Sequence, residues 1–155
     1  MDYNVAQVNI AKRLAPLDDP IMKDFIDNVD AINTIADQSL GFIWRMQNED
    51  KVEGARIFKD DSLIINISVW ETIESLFNFT YKTNHLQVFK RKKEWFSKID
   101  FMHMAFWYVP VGYEPTFQDA KNRLDYLWEF GETPYAFTFK NRFTVENFLN
   151  YNSFL

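Results

Sequence analysis

The chain alternates between segments in which apolar residues recur at every second position and segments in which they recur at helical spacing. The first pattern predicts strands at Val5–Ala11, Phe42–Gln47, Leu63–Trp70 and Met102–Val109. The second predicts helices that run from about Met22 to Gln38, from Ile73 to Thr80, from Leu86 to Phe96 and from Ala120 to Leu127. The order of these elements is typical of an α+β, ferredoxin-like fold, an antiparallel sheet with helices on one face.

The remaining segments complete this organisation. Asn48–Gly54 is polar and contains a glycine, which predicts a loop. Thr116–Asp119 resembles a helix start, and Ala136–Phe139 is compatible with a short edge strand. We therefore predict a single domain over residues 1–143, with a C-terminal helical appendix after the fourth strand, and a tail at residues 144–155 that shows little periodicity.

The strands have two unlike faces, because side chains alternate along a strand. The odd positions of residues 63–69 are all aliphatic, whereas the even positions include Asn66, Ser68 and Trp70. In the second strand the same alternation sets Phe42, Trp44 and Met46 against Ile43, Arg45 and Gln47. The aliphatic face is expected to pack on helices, and the polar face is expected to line a pocket or an interface.

Two tryptophans bear on how the polar face is covered. Trp70 and Trp107 are expected on this face, and tryptophan is rarely left in water. We therefore predict a homodimer in which the same face of a second subunit covers them. The alternative is that the C-terminal helix and tail of the same chain cover them.

Composition narrows the classes of function. The length of 155 residues fits one domain, and the absence of cysteine excludes disulfides, thiolate nucleophiles and iron–sulfur clusters. The net charge of −5 disfavours nonspecific binding to nucleic acid. No signal peptide and no apolar run long enough for a bilayer is visible, so we expect no membrane partner and a cytoplasmic location.

Several motifs resemble those of an uncharacterised bacterial family in the dimeric α+β-barrel superfamily, which includes the antibiotic-biosynthesis monooxygenases. These motifs are Asn66-x-Ser68-Val69-Trp70-Glu71, Phe79, His85, Arg91-x-x-Glu94-Trp95-Phe96 and Trp107-x-x-Pro110-x-Gly112-x-x-Pro115. The resemblance implies two subunits whose sheets meet face to face, each with a cavity between sheet and helices. Members of the superfamily include cofactor-free oxygenases of polycyclic phenols, haem-binding and haem-degrading enzymes, and small isomerases.

Three residues are candidates for catalysis. His85 lies where haem-binding relatives have an iron-ligating histidine, and Asn9 is the residue type that haem-degrading relatives use on the first strand. An imidazole can also act as a general base, or His85 can simply cap a helix. His103 shares a strand face with Trp107, so it orients a substrate group or is a satisfied structural histidine.

Further polar and aromatic residues are candidates for substrate binding: Gln7, Arg45, Asn66, Ser68, Trp70, Trp95 and Trp107. An arginine in a cavity would select a carboxylate or phenolate, although a salt bridge at the subunit interface is equally compatible with Arg45. The tryptophans can stack on a planar ligand or pack in the core. Two histidines without cysteine give no metal site of recognisable spacing.

These observations favour a small-molecule enzyme that acts on an apolar aromatic or polycyclic compound without a cofactor, by oxygenation or by a proton-transfer rearrangement. In that hypothesis His85 accepts the proton, and Asn9, Asn66 or Arg45 holds an oxygen atom. One alternative is a haem protein with His85 as the axial ligand. The other is a binding protein for an apolar ligand that catalyses no reaction.

Overall fold

The computed structural model describes residues 2–47, 51–82, 91–97 and 103–152. His85 lies outside the described residues, as do Leu86 and Phe89 of the helix predicted there. Of the helices in the described ranges, none is long and apolar enough to cross a membrane.

In the part of the chain that the structure describes, five strands form one antiparallel sheet. The strands are β1 (Tyr3–Arg13), β2 (Phe42–Arg45), β3 (Leu63–Trp70), β4 (Phe96–Ser97) and β5 (Met104–Pro110). Their order is β2, β3, β1, and the far edge of β1 pairs first with β5 and then, near its end, with β4. The prediction of an α+β fold is confirmed, and the strand order fits a ferredoxin-like arrangement.

Among the described residues, five helices accompany the sheet: α1 (Lys23–Gln38), α2 (Lys51–Phe58), α3 (Ile73–Lys82), α4 (Phe117–Phe130) and α5 (Val145–Asn152). Asp19 accepts a hydrogen bond from the backbone N–H of Ile21 and begins a short 3-10 turn that leads into α1. Thr116 and Asp119 form a reciprocal capping box at the start of α4.

Helices cover both faces of the sheet, whereas the sequence predicted them on one face. On the aliphatic face, Ala6, Val8, Ile67, Val69 and Ala105 form a buried cluster with one side of α4. That side consists of Ala120, Leu124 and Leu127. Helix α2 packs against α4, so this face is closed within a single chain.

The polar face is covered by α1, α3 and the C-terminal segment. Val5, Trp70 and Phe106 on the strands form a second buried cluster with residues of these helices and of the C-terminal segment: Ala36, Ile73, Leu76, Phe137 and Phe148. The segment that contains Phe137 meets β5 through a single bridge to Phe106 rather than through a full strand. A cavity remains between this face and α1 and α3.

The two tryptophans lie on opposite faces, so the prediction that they share one is wrong. Trp107 pairs with Ala6 and joins the aliphatic cluster, whereas Trp70 pairs with Val5 on the polar face. Paired residues of antiparallel strands point to the same side, and Ala6 and Val5 are neighbours along β1. Each indole is 1% exposed in one chain. Their burial therefore needs no second subunit.

Two local predictions also fail. Residues Lys51–Phe58 form helix α2, although a loop was predicted at Asn48–Gly54. Gly54 is buried there, and a Cβ built on it would lie 3.1 Å from the ring of Phe117; the close contact between α2 and α4 thus explains the glycine. Phe96, predicted at the end of a helix, begins strand β4 instead.

Candidate functional site

A cavity of about 700 Å³ lies between the polar face of the sheet and helices α1 and α3. This volume is in the range of small-molecule sites. Its polar lining consists of Gln7, Asn9, Arg45, Asn66, Ser68, Thr80, Lys92, Lys93, Ser97 and His103. Its aromatic lining consists of Phe25, Phe79, Phe96, Phe106 and Phe139.

Four polar side chains form a continuous hydrogen-bonded row on the sheet side of the cavity, here called the polar row. They are Gln7 and Asn9 on β1 and their register partners Ser68 and Asn66 on β3. Asn66 Nδ2 donates to Asn9 Oδ1 (3.1 Å), Asn9 Nδ2 donates to Gln7 Oε1 (3.1 Å), and Gln7 Nε2 donates to Ser68 Oγ (2.7 Å). The bonds satisfy the polar groups of Gln7 and Ser68, which are buried and would otherwise be costly to bury.

The indole of Trp70 fixes the inner end of the polar row. Trp70 Nε1, which can only donate, gives a hydrogen bond of 2.9 Å to Ser68 Oγ. Ser68 Oγ therefore accepts two N–H groups. None of the hydrogen bonds among the described residues uses the Ser68 hydroxyl hydrogen, so this hydrogen is available to an oxygen atom of a ligand.

Aromatic rings form much of the remaining lining, and two tryptophans support them from behind. Trp70 stacks on Phe79 with ring centroids 5.1 Å apart, and Trp95 contacts Phe25 at 5.7 Å. Phe25 in turn meets Phe96 edge to face at 5.0 Å. These contacts hold the rings that border the cavity in fixed positions, which suits a planar apolar ligand.

The ionisable residues of the described lining are Arg45, Lys92, Lys93 and His103, and all of them are basic. Arg45 Nε donates to Asp37 Oδ1 at 2.9 Å, so its charge is partly neutralised. Burial, and secondly the charge of Lys92, lowers the pKa of His103 below its usual value of 6.5. His103 is therefore a neutral imidazole at pH 7, which can accept a proton.

A comparison with known families adds the context. A family model described as "Domain of unknown function (DUF3291)" matches residues 4–152. The chain belongs to this family. No curated protein and no solved structure matches the chain. The matched range, residues 4–152, includes every lining residue named above.

The structure of this DUF3291 chain brings together six of the candidates that the sequence indicated. Gln7, Asn9, Arg45, Asn66, Ser68 and His103 all border one cavity. Trp70 and Trp95 do not border the cavity but contact lining rings, and each is 1% exposed. Trp107 lies on the opposite face of the sheet. Trp107 thus does not border this cavity, and His85 lies outside the described residues.

Sequence reasoning missed the part of the DUF3291 cavity that the helices supply. Phe25 and Val29 on α1 and Phe79 and Thr80 on α3 border the cavity. None of the four was predicted to border a cavity, because helical spacing does not distinguish a packed stripe from one that borders a cavity. One feature of the sequence could have revealed the cavity: helices that cover the polar strand face must lie opposite Asn and Gln side chains. A group of three or more potential metal ligands is absent from the described residues.

Proposed function

We propose that this chain binds an apolar, aromatic small molecule in the cavity and converts it without a cofactor, by oxygenation or by a proton-transfer rearrangement. The observation that supports this most is the polar row, a continuous set of hydrogen-bonding groups along one side of a cavity otherwise rich in aromatic rings. A packed core has no need of such a row, whereas a site that orients an oxygen-bearing ring does.

Each part of the lining has a role in this proposal. The rings of Phe25, Phe79 and Phe106 hold the planar body of the ligand. The amide of Asn9 and the hydroxyl of Ser68 hold its oxygen atom by hydrogen bonds. The neutral imidazole of His103 accepts a proton from the ligand. His85, predicted from sequence as the proton acceptor, remains a second candidate for this step.

The proposal is tested by incubating the protein with a panel of polycyclic phenols in air while oxygen consumption and product mass are followed. We expect turnover to fall at least about 100-fold in the His103→Ala or the His85→Ala variant, because loss of a general base costs this much or more. We expect a fall of about 100-fold in the Asn9→Ala variant too, because a hydrogen-bond donor to the reacting oxygen is lost. Asn122→Ala, on the exposed side of α4, is the control and keeps full activity. Full activity in all of these variants would refute the assignment.

A binding protein without catalysis is the first alternative. In that case the same compounds bind, Asn9→Ala weakens binding, and no compound is converted at any pH. His103→Ala then has little effect on binding, because an imidazole that accepts no proton contributes only a contact.

Haem binding is the second alternative, and the position of His103 in the cavity lining supports it. It is the imidazole that the described lining offers, and a neutral imidazole can ligate iron. A titration with haemin, followed by absorption spectroscopy, tests this for the wild type, His85→Ala and His103→Ala. A sharp Soret band that one variant loses would identify the ligand, and a featureless response in all three would exclude haem.

The homodimer and the place in the dimeric α+β-barrel superfamily remain part of the proposal, supported by the resemblance alone. The aliphatic face is already occupied by α4, and α1 and α3 cover the polar face. A dimer would therefore have to use an outer surface rather than a bare sheet. Light scattering decides this, since one chain has a mass of 18.6 kDa and a dimer has twice that value.

A further inference from the structure

The hydrogen bonds of the polar row all run in the same direction. Trp70 Nε1 can only donate, so Ser68 Oγ is its acceptor, and Gln7 Nε2 is the second donor to that oxygen. The Gln7 amide therefore turns its oxygen towards Asn9 Nδ2, which donates to it at 3.1 Å. Asn9 Oδ1 in turn accepts from Asn66 Nδ2 at 3.1 Å. The donors of the row thus point away from Asn66 and towards Ser68.

This direction makes the two ends of the row chemically different. The inner end is Ser68, 9% exposed, whose hydroxyl hydrogen is not used by the described residues. The outer end is Asn66, an exposed residue whose Oδ1 accepts no hydrogen bond from the residues that the structure describes. A ligand therefore meets a donor at the inner end and an acceptor at the outer end. The two residues lie two positions apart on β3, which is about 7 Å along a strand.

The middle of the row adds to the donor character of the inner end. The side-chain oxygens of Gln7 and Asn9 each already accept one hydrogen bond within the row. Each amide nitrogen, in contrast, has a second hydrogen that no described residue accepts. A ketone oxygen, which has lone pairs and no hydrogen, matches these groups. A hydroxyl at the inner end would bring one more hydrogen to a region where hydrogens already outnumber free acceptors.

We propose that the ligand of this cavity is a hydroxylated aromatic ketone, held in one orientation by the direction of the polar row. Its ketone oxygen accepts from Ser68 at the inner end, and its rings lie among the phenylalanines of the lining. Its hydroxyl donates to Asn66 Oδ1 at the opening, about 7 Å away along the strand. The proposal rests on the function proposed above and specifies the ligand class.

Calorimetric titration with three bicyclic probes tests both ends of the row. 6-Hydroxy-1-tetralone has the ketone and the hydroxyl at opposite ends. 6-Methoxy-1-tetralone keeps both oxygen atoms but cannot donate, and 5,6,7,8-tetrahydro-2-naphthol keeps the hydroxyl but lacks the ketone. The wild type is expected to bind 6-hydroxy-1-tetralone about tenfold more tightly than either of the others, because each of these loses one hydrogen bond.

Two results with the wild type would overturn the proposal. Equal affinity for the hydroxy and methoxy compounds would show that the outer end does not act as an acceptor. Equal affinity for 6-hydroxy-1-tetralone and the naphthol would show that the inner end does not bind a ketone. The inner end is tested with probes alone, because Ser68→Ala also removes the acceptor of Gln7 and Trp70.

The Asn66→Ala variant removes the acceptor at the opening. 6-Hydroxy-1-tetralone should then lose about tenfold in affinity and bind like the methoxy compound, whose own affinity should not change. Asn78→Ala is the matched control, because Asn78 is exposed on α3 and does not border the cavity. It should keep the full preference for the hydroxyl. A preference that survives in Asn66→Ala would refute the role of Asn66.

The same titrations separate this inference from the proposed function. If the three probes bind equally and compete for one site, the hydroxyketone is refuted and the aromatic site stands. If none of them binds, both proposals fail. If both preferences are observed and no aromatic compound of any class is converted, the ligand class is supported and the catalytic part of the proposed function is refuted.

Discussion

At the scale of single residues, Ser68 connects the polar row to the indole of Trp70. Its hydroxyl oxygen accepts hydrogen bonds from Gln7 and Trp70, and both of these donors are buried. We predict that Ser68→Ala lowers the free energy of unfolding by about 2 kcal/mol, because two buried N–H groups lose their acceptor. Urea denaturation measures this. Ser97→Ala, on β4 at the border of the same cavity, is the control and should change stability little, because its one hydrogen bond is long and exposed.

Tyr108 gives a second prediction at this scale. Its hydroxyl donates to the carbonyl oxygen of Phe143 at 2.5 Å, and burial, with a smaller effect of Glu74, raises its pKa to about 12. The unfolded chain loses this proton near the ordinary pKa of 10.0, whereas the folded state retains it to a higher pH. The free energy of unfolding must therefore fall as pH rises from about 10 to about 12.

The Tyr108→Phe variant isolates that effect. We expect the urea midpoint of the wild type to fall more between about pH 9 and about pH 11 than the midpoint of the variant, which has no proton to lose at this position. Equal losses in the two proteins would show that other groups cause the alkaline destabilisation. The hydrogen bond to Phe143 is absent from the variant at every pH, so its loss cancels in this comparison.

At the scale of elements, helix α5 is attached to the fold by one residue above all. Phe148 is 7% exposed and contacts the rings of Tyr3 and Tyr108, with centroids 6.0 and 6.2 Å away. We predict that Phe148→Ala costs about 3 kcal/mol of stability, the usual cost of truncating a buried phenylalanine. The neighbouring Leu149 is 45% exposed, and Leu149→Ala should cost less than about 1 kcal/mol.

The second strand shows why alternation alone misplaced some side chains. Phe42, Trp44 and Met46 were predicted on one face, but Phe42 packs on Trp70 at 5.4 Å while Trp44 joins the aliphatic cluster. A register irregularity between Phe42 and Trp44 is the cause, since Phe42 pairs with Trp70 and Trp44 pairs with Val69. One extra residue in a strand reverses the faces beyond it, and no pattern in the sequence marks that residue.

At the scale of the whole molecule, the two buried clusters share the strands β1, β3 and β5, with one cluster on each face. Because the same backbone supports both, we predict that they unfold together. Leu124→Ala affects the aliphatic cluster and Leu76→Ala the other. In each variant, far-ultraviolet and near-ultraviolet circular dichroism should give coincident, lowered midpoints. Separated midpoints would show that the two faces unfold independently.

The sequence predicted the order of the strands, the main helices and the face with polar side chains, because periodicity reports burial on each side of an element. It did not predict that α1 and α3 would cover the polar face while α2 and α4 cover the aliphatic face. Their apolar stripes show that they pack on something without showing what, and Gly54 in α2 resembles a turn residue until its contact with Phe117 is known. Distances along the polar row likewise depend on the β1–β3 register, which emerges only in three dimensions.

The stacking of Trp70 on Phe79 has a practical consequence. The indole is separated from the cavity by a single ring, and its N–H is tied to the polar row through Ser68. A bound chromophore that absorbs near 350 nm would receive excitation energy from this indole and quench its emission. Occupancy of the site can thus be followed optically, and comparison with the Trp70→Phe variant separates the signal of this indole from that of the other four tryptophans.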